Sequence, residues 1–120
     1  MTNQTRAKAT SPEDLTRLFV ELANAGDAEG LAGLYEPDAI VAFPPGEMTV
    51  GRPAIQALYE RMLEKKPHFS LEKPLPTLHH GDIALTSTPA LDEAGARAQV
   101  VRRQPDGSWL RLLDRPDFRA

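Results

Sequence analysis

An α+β fold is predicted for this 120-residue chain by three observations. Helix-type apolar spacing is confined to the residues before Pro67. Strand-like runs divided by turn signals fill the rest, and helices followed by an antiparallel meander define the α+β class. The eleven prolines, above the typical ~5% of a chain, punctuate these runs.

Residues 1–10 are polar and aperiodic and are expected to form a mobile tail, leaving residues 11–120 as one domain. Ser11-Pro12-Glu13-Asp14 opens a helix: a capping hydroxyl, a proline suited to the first turn, and two acids that complement the dipole. Leu15, Leu18, Phe19 and Leu22 then form one apolar stripe that Gly26 ends. Asp27 caps a second helix carrying Leu31, Leu34 and a structural Tyr35, with Pro37 as its stop. A strand from Ala39 to Phe43, a Pro44-Pro45-Gly46 turn and a return strand from Met48 to Val50 follow. Gly51-Arg52-Pro53 opens a third helix with Ile55, Leu58, Tyr59 and Met62 on its stripe. Four further strands are expected at His68–Lys73 (or on to Leu78), Ile83–Thr88, Arg97–Gln104 and Ser108–Asp114, with turns at His80-Gly81-Asp82, Asp92–Gly95 and Pro105-Asp106-Gly107.

If Asp106-Gly107 is a two-residue turn, Gln99 faces Asp114, Val101 faces Leu112 and Arg103 faces Leu110 on one side of the last hairpin. Val100 with Leu113, Arg102 with Arg111 and Gln104 with Trp109 then share the other side. Opposed arginines repel, so that outer side calls for an acidic partner or a second subunit, unless water alone solvates it. A one-residue slip would exchange the two faces.

Composition excludes several function classes. With no cysteine there is no disulfide scaffold, thiol nucleophile, iron–sulfur cluster or cysteine-ligated zinc. No apolar run approaches the ~20 residues of a membrane span, so a soluble, cytoplasmic protein is expected. The net charge of −3 divides into an acidic part, with 8 Lys and Arg against 14 Asp and Glu up to residue 96, and a C-terminal stretch with six arginines. That arginine stretch reads as a solvated strand face, and an acidic protein is a poor nucleic-acid partner. Phosphate-loop and dinucleotide motifs are lacking, and no cofactor is implied. His79 and His80 are adjacent and point to opposite sides of a strand, and with His68 they show no chelating spacing, so no metal is expected.

Five segments together carry a resemblance. Leu18-Phe19 through Asn24-Ala25-Gly26-Asp27, then Leu34-Tyr35-Glu36-Pro37-Asp38-Ala39, a proline-rich hairpin and Gly51-Arg52-Pro53-Ala54-Ile55, closed by Arg103-Gln104-Pro105-Asp106-Gly107-Ser108-Trp109, resemble the nuclear-transport-factor-2-like (NTF2-like) superfamily. The SnoaL-like and ketosteroid-isomerase-like bacterial branch is the nearest in pattern, over about residues 11–116. The resemblance implies a cystatin-like cone, three N-terminal helices packed on a curved, mainly antiparallel sheet, with a pocket at its open end and homodimers paired through the outer sheet face. It also places Phe19, Phe43 and Gln99 where the isomerase has its phenol donor, aspartate base and neutral acid. Neither phenylalanine can carry those protons, so ketosteroid isomerisation by the known mechanism is rejected. Asp38 falls five residues too early to replace the base and reads as a turn cap.

The expected function is binding of a small, largely apolar organic molecule in the cone, lined by Phe19, Phe43, Leu58, Tyr59, Val101, Arg103, Leu110 and Leu112. The second reading is a lyase, isomerase or hydrolase with Asp114 as general acid or base, Gln99 as orienting donor and Arg103 as anion clamp. For Asp114 the structural alternative stays open: a bond to Arg97, Gln99 or Arg115 that fixes the strand end.

Overall fold

A computed structural model describes residues 6–90 and 95–118. Its elements run α1 (Pro12–Asn24), α2 (Ala28–Ala32), β1 (Tyr35–Val41), β2 (Thr49–Val50), α3 (Arg52–Leu63), β3 (Leu78–His80), β4 (Ile83–Thr88), β5 (Arg97–Arg103) and β6 (Trp109–Arg115). The strands form one sheet in the order β2-β1-β6-β5-β4-β3, antiparallel throughout except for the parallel β1–β6 pair. The α+β expectation holds, with three helices before most of a mainly antiparallel sheet.

Local chemistry places the helices. The Asp14 amide donates to Ser11 Oγ at α1 (3.3 Å), and the Gly30 amide donates to Asp27 Oδ1 at α2 (2.9 Å). Gly51 precedes α3 at φ 91°, a conformation costly for any residue with a Cβ. Leu15 and Leu18 of α1, Leu31 of α2, and Ile55, Leu58 and Tyr59 of α3 meet Val41, Ala84, Val101 and Trp109 of the sheet in one buried core. Among the described residues no helix is long and apolar enough to cross a membrane.

Four expectations need correction. Helix α2 stops at Ala32 rather than at Pro37, because Gly30 and Gly33 weaken it and the Leu34 carbonyl accepts the Arg111 amide (2.8 Å), which starts a strand. Tyr35 and Pro37 therefore lie on β1, and Pro37 sits where the β1–β6 register breaks between Tyr35 and Ile40. No strand forms at His68–Lys73: residues 64–77 are an irregular strap, since Pro67, Pro74 and Pro76 cannot donate to a ladder. Only Leu78–His80 pairs with β4.

The last correction concerns the β5–β6 hairpin. Gln99↔Asp114 and Val100↔Leu113 pair as expected, but nearer the turn Val101 faces Arg111, Arg102 faces Leu110 and Arg103 faces Trp109. A two-residue Asp106-Gly107 loop would need the Pro105 amide to close it, and proline has none. The loop instead closes one residue further out, through the Gln104 amide and the Ser108 carbonyl (2.7 Å). An irregularity in β6 at Leu112 absorbs the extra residue and restores the register at Leu113.

The segment expected as a tail and the expected Asp92–Gly95 turn fall partly outside the described residues. Of the former, residues 6–10 are described: Ala9 is buried and its carbonyl accepts the Trp109 amide (3.0 Å), while Arg6 pairs with Asp27 (2.8 Å).

Candidate functional site

Because of the shifted hairpin, the inward side chains of β6 are Trp109, Arg111 and Asp114, with Gln99 and Val101 beside them on β5. Tyr35, at the start of β1, is fully buried and lies opposite Arg111. Tyr59 reaches in from α3 and Thr86 from β4. These side chains form one buried polar cluster.

Tyr35 Oη donates to Asp114 Oδ2 at 2.6 Å. Its proton thus committed, Tyr35 accepts from Tyr59 Oη at 2.7 Å, so the hydroxyls line up Tyr59 to Tyr35 to Asp114. Gln99 Nε2 donates to Asp114 Oδ1 (3.1 Å), and Thr86 Oγ1 donates to Gln99 Oε1 (2.7 Å), which fixes the orientation of that amide. Burial, reinforced by the Asp114 charge, pushes both phenols well above their ordinary value and keeps them protonated.

Arg111 is the least satisfied member. Its guanidinium stands over the Phe19 ring (5.1 Å) and near that of Tyr35 (5.8 Å), 3.7 Å from Asp114 Oδ2 and 3.4 Å from Tyr35 Oη. The buried Nε has no acceptor among the described residues. Burial works against this charge, but Tyr35 and Asp114 beside it outweigh that effect and hold the guanidinium above its usual value.

A cavity of about 80 Å³ borders this cluster, walled by Phe19, Tyr59, Phe69, Arg97, Gln99, Arg111 and Asp114 among others. The strap crosses it. Asn24 donates to the Phe69 carbonyl (2.9 Å) and accepts the Phe69 amide (2.8 Å), the Leu75 amide donates to the Ser87 carbonyl (2.9 Å), and Glu72 pairs with Arg97 (2.8 Å).

Of the residues the sequence nominates, Phe19, Tyr59, Gln99 and Asp114 line this cavity. Asp114 is held by Gln99, one of the structural partners foreseen for it, and not by Arg97, which turns to Glu72. The other nominees do not come together there. Phe43 and Leu58 border a separate depression with Arg61 and Lys65, and Val101 is sealed in the core. Arg103 is exposed near the hairpin end and bonds Asp82 (2.8 Å). Leu110 lies on the opposite sheet face and borders a groove of about 610 Å³ beside residues 6–9. Leu112 sits at the register break, half-buried and away from the cavity wall. The expected Arg102–Arg111 pair does not exist: Arg102 makes a two-point bond to Glu36 (2.9 and 2.6 Å). Tyr35, Thr86 and Arg111 were missed. Pro105, visible in the sequence, is the signal that could have moved Arg111 inward.

No curated protein matches the chain. Solved structures do match. A cystatin-like domain from Nostoc punctiforme superposes with TM-score 0.74 at 16% identity, covering 95% of this chain and 78% of its own. An NTF2-like protein from Novosphingobium aromaticivorans gives TM-score 0.63 at 24% identity, with 85% and 75% covered. A ketosteroid isomerase-like protein from Erwinia carotovora atroseptica gives TM-score 0.66 at 15% identity, with 86% and 89% covered. At such identities these likenesses establish the cystatin-like fold. The profile of the SnoaL-like domain matches residues 16–112, which is most of the described fold and includes the Tyr35, Tyr59, Gln99 and Arg111 positions. The chain therefore belongs to the SnoaL-like domain family.

Proposed function

We propose that the chain binds a small, largely apolar organic molecule in the cone. One observation carries this reading: a buried cluster with an anionic acceptor, Asp114, and an unsatisfied cationic donor, Arg111, borders a cavity whose wall also includes the rings of Phe19, Tyr59 and Phe69. Apolar walls with a few convergent polar groups suit a molecule with a hydrocarbon body and one oriented oxygen. At about 80 Å³ the cavity is smaller than the ~150 Å³ that admits a benzene ring, so a ligand of that size also needs the Phe69–Glu72 part of the strap to shift. Native mass spectrometry of the full chain tests the proposal. A retained small-molecule adduct, lost in Phe19→Ala, is the expected result. No adduct, together with no thermal shift across a panel of small ketones, acids and alcohols, would remove it.

A second reading, catalysis by Asp114, is favoured by the Tyr59–Tyr35–Asp114 row of hydroxyls, which ends on the cavity wall. Here the cluster serves a lyase, isomerase or hydrolase, with Gln99 and Arg111 holding a substrate oxygen. PH-dependent turnover abolished by Asp114→Asn, with binding retained, would distinguish this reading from simple binding.

The homodimer through the outer sheet face is part of the same proposal. Arg102 and Arg111 do not oppose each other, and the outer face offers a different support for pairing. Leu78, Leu85, Val100, Leu113, Ile40 and Val50 are successive register partners, one aliphatic residue per strand across the whole outer face. Met48 and Phe118 add exposed apolar surface near the row.

A further inference from the structure

The cavity wall holds two arginines whose buried Nε–H groups have no acceptor among the described residues, Arg97 and Arg111. They come from neighbouring strands, Arg97 at the start of β5 and Arg111 in β6. A buried guanidinium N–H without an acceptor is costly, and two beside one cavity mark a place where oxygen atoms are called for. The carboxylates already present do not fill it. Asp114 spends Oδ2 on Tyr35 and Oδ1 on Gln99, and it stays 3.7 Å from Arg111. Glu72 reaches Arg97 only at Nη2 (2.8 Å), although the planar fork can hold a carboxylate at two points. Glu72 belongs to no helix or strand; it projects from the strap that crosses the cavity.

We infer that the Arg97–Arg111 side of the cavity is a site for a small organic monocarboxylate, and that Glu72 stands in for that carboxylate on Arg97. The inference rests on the reading of the cone as a small-molecule site and names the ligand class. The charge count agrees with it. Two arginines, Arg97 and Arg111, share the cavity wall with two acids, Asp114 and Glu72, and a ligand carboxylate that displaces Glu72 leaves this balance unchanged. A second free anion added beside both acids would be repelled. The strap therefore has to release Glu72 as the ligand enters, and the ligand's hydrocarbon part then lies against Phe19 and Phe69. A volume of about 80 Å³ accommodates a carboxylate head and a short tail rather than a ring system.

The probe is butyrate against the isosteric, uncharged butyramide, titrated into the full chain at constant ionic strength. Arginine Nε–H resonances report the site and backbone resonances report the cone. The expected result is saturable shifting of the Arg97 and Arg111 signals by butyrate, at least about tenfold tighter than by butyramide, the scale of a charge-assisted hydrogen bond. Glu72→Gln removes the internal competitor and should strengthen butyrate binding severalfold while leaving butyramide unchanged. Arg97→Gln, at a half-buried position that the chain can lose without a core defect, should abolish the preference for butyrate. Equal binding of the two probes overturns the carboxylate site and leaves the small-molecule reading standing. Weaker butyrate binding in Glu72→Gln overturns the stand-in role of Glu72. If neither probe moves any cone resonance, the carboxylate site falls, and the adduct measurement proposed for the cone decides the broader reading separately.

Discussion

The Tyr35 hydroxyl donates to Asp114 Oδ2 across 2.6 Å, joining the start of β1 to the end of β6 inside the cone. The same oxygen of Tyr35 accepts from Tyr59, so one phenol ties both neighbours. Tyr35→Phe leaves a buried carboxylate oxygen without its donor and the Tyr59 proton without its acceptor. A loss of about 1–3 kcal/mol is expected, the usual cost of orphaning a buried polar group. Tyr59→Phe removes only the outer donor and should cost less. Denaturant unfolding of the two variants checks the order, and equal losses would mean that Asp114 does not depend on Tyr35.

The strap is held by a side chain rather than by a ladder. Asn24 makes two bonds to the Phe69 backbone from an exposed position. Asn24→Ala should therefore speed hydrogen exchange at the Phe69 amide while changing global stability by no more than about 1 kcal/mol. The Leu75 amide, bonded to the Ser87 carbonyl farther along, should keep its protection. Unchanged exchange at Phe69 would show that packing of its ring against Phe19, at 5.9 Å between centroids, holds the strap instead.

Glu36 accepts two bonds from Arg102 and one from Gln104 (2.8 Å) while itself nearly buried. These donors, Arg102 first, pull its carboxyl below the ordinary glutamate value. A depressed folded-state value means that the unfolded chain takes up the proton first as pH falls. The stabilisation is thus complete above the unfolded value of about 4.3 and disappears as pH drops through the folded one. Glu36→Gln should make the wild-type loss of stability below that pH shallower. Thermal unfolding between neutral and acidic pH measures the slope, and parallel curves would show that Glu36 is not a contributor.

How far the sequence could be read depended on whether one residue or a competition decided each feature. The caps at Ser11 and Asp27 and the strand at Ile83–Thr88 follow from local chemistry, and the structure has them where the residues put them. The Gln99–Asp114 contact was also legible, because two residues on facing strands needed only the far end of the hairpin to be in register. The end of α2 was not: it depends on the Leu34 carbonyl finding the Arg111 amide, some 77 positions away along the chain. A helix continued to Pro37 would make Tyr35 a helix-packing residue, whereas on β1 it is the centre of the polar cluster. For Arg111 the reason is different. An Asp-Gly pair favours a two-residue turn, but the missing amide of Pro105 outweighs that preference, and one residue of slip exchanges the faces.

The aliphatic row on the outer face is the feature with the plainest consequence for assembly. At ~4.8 Å per strand, six register partners span roughly 24 Å. Leu78 is 64% exposed, Val50 57% and Leu113 44%, so the row is not covered by the described part of the chain. A contiguous apolar strip of that length is uncommon on a soluble monomer and is stabilised by a matching strip. In the proposed homodimer a second copy would supply one through two-fold pairing, since the same row meets itself. Leu113→Arg puts a charge near the middle of the row, between Val100 and Ile40, and should convert a dimer to a monomer without disturbing the inward face, where Asp114 and Gln99 lie. Leu85→Arg, on the far side of Val100, should do the same. Sedimentation velocity at tens of micromolar, with circular dichroism as the check on folding, reads the change. A wild-type chain that sediments as a monomer there would remove the dimer, and folded variants that still sediment as dimers would move the interface elsewhere.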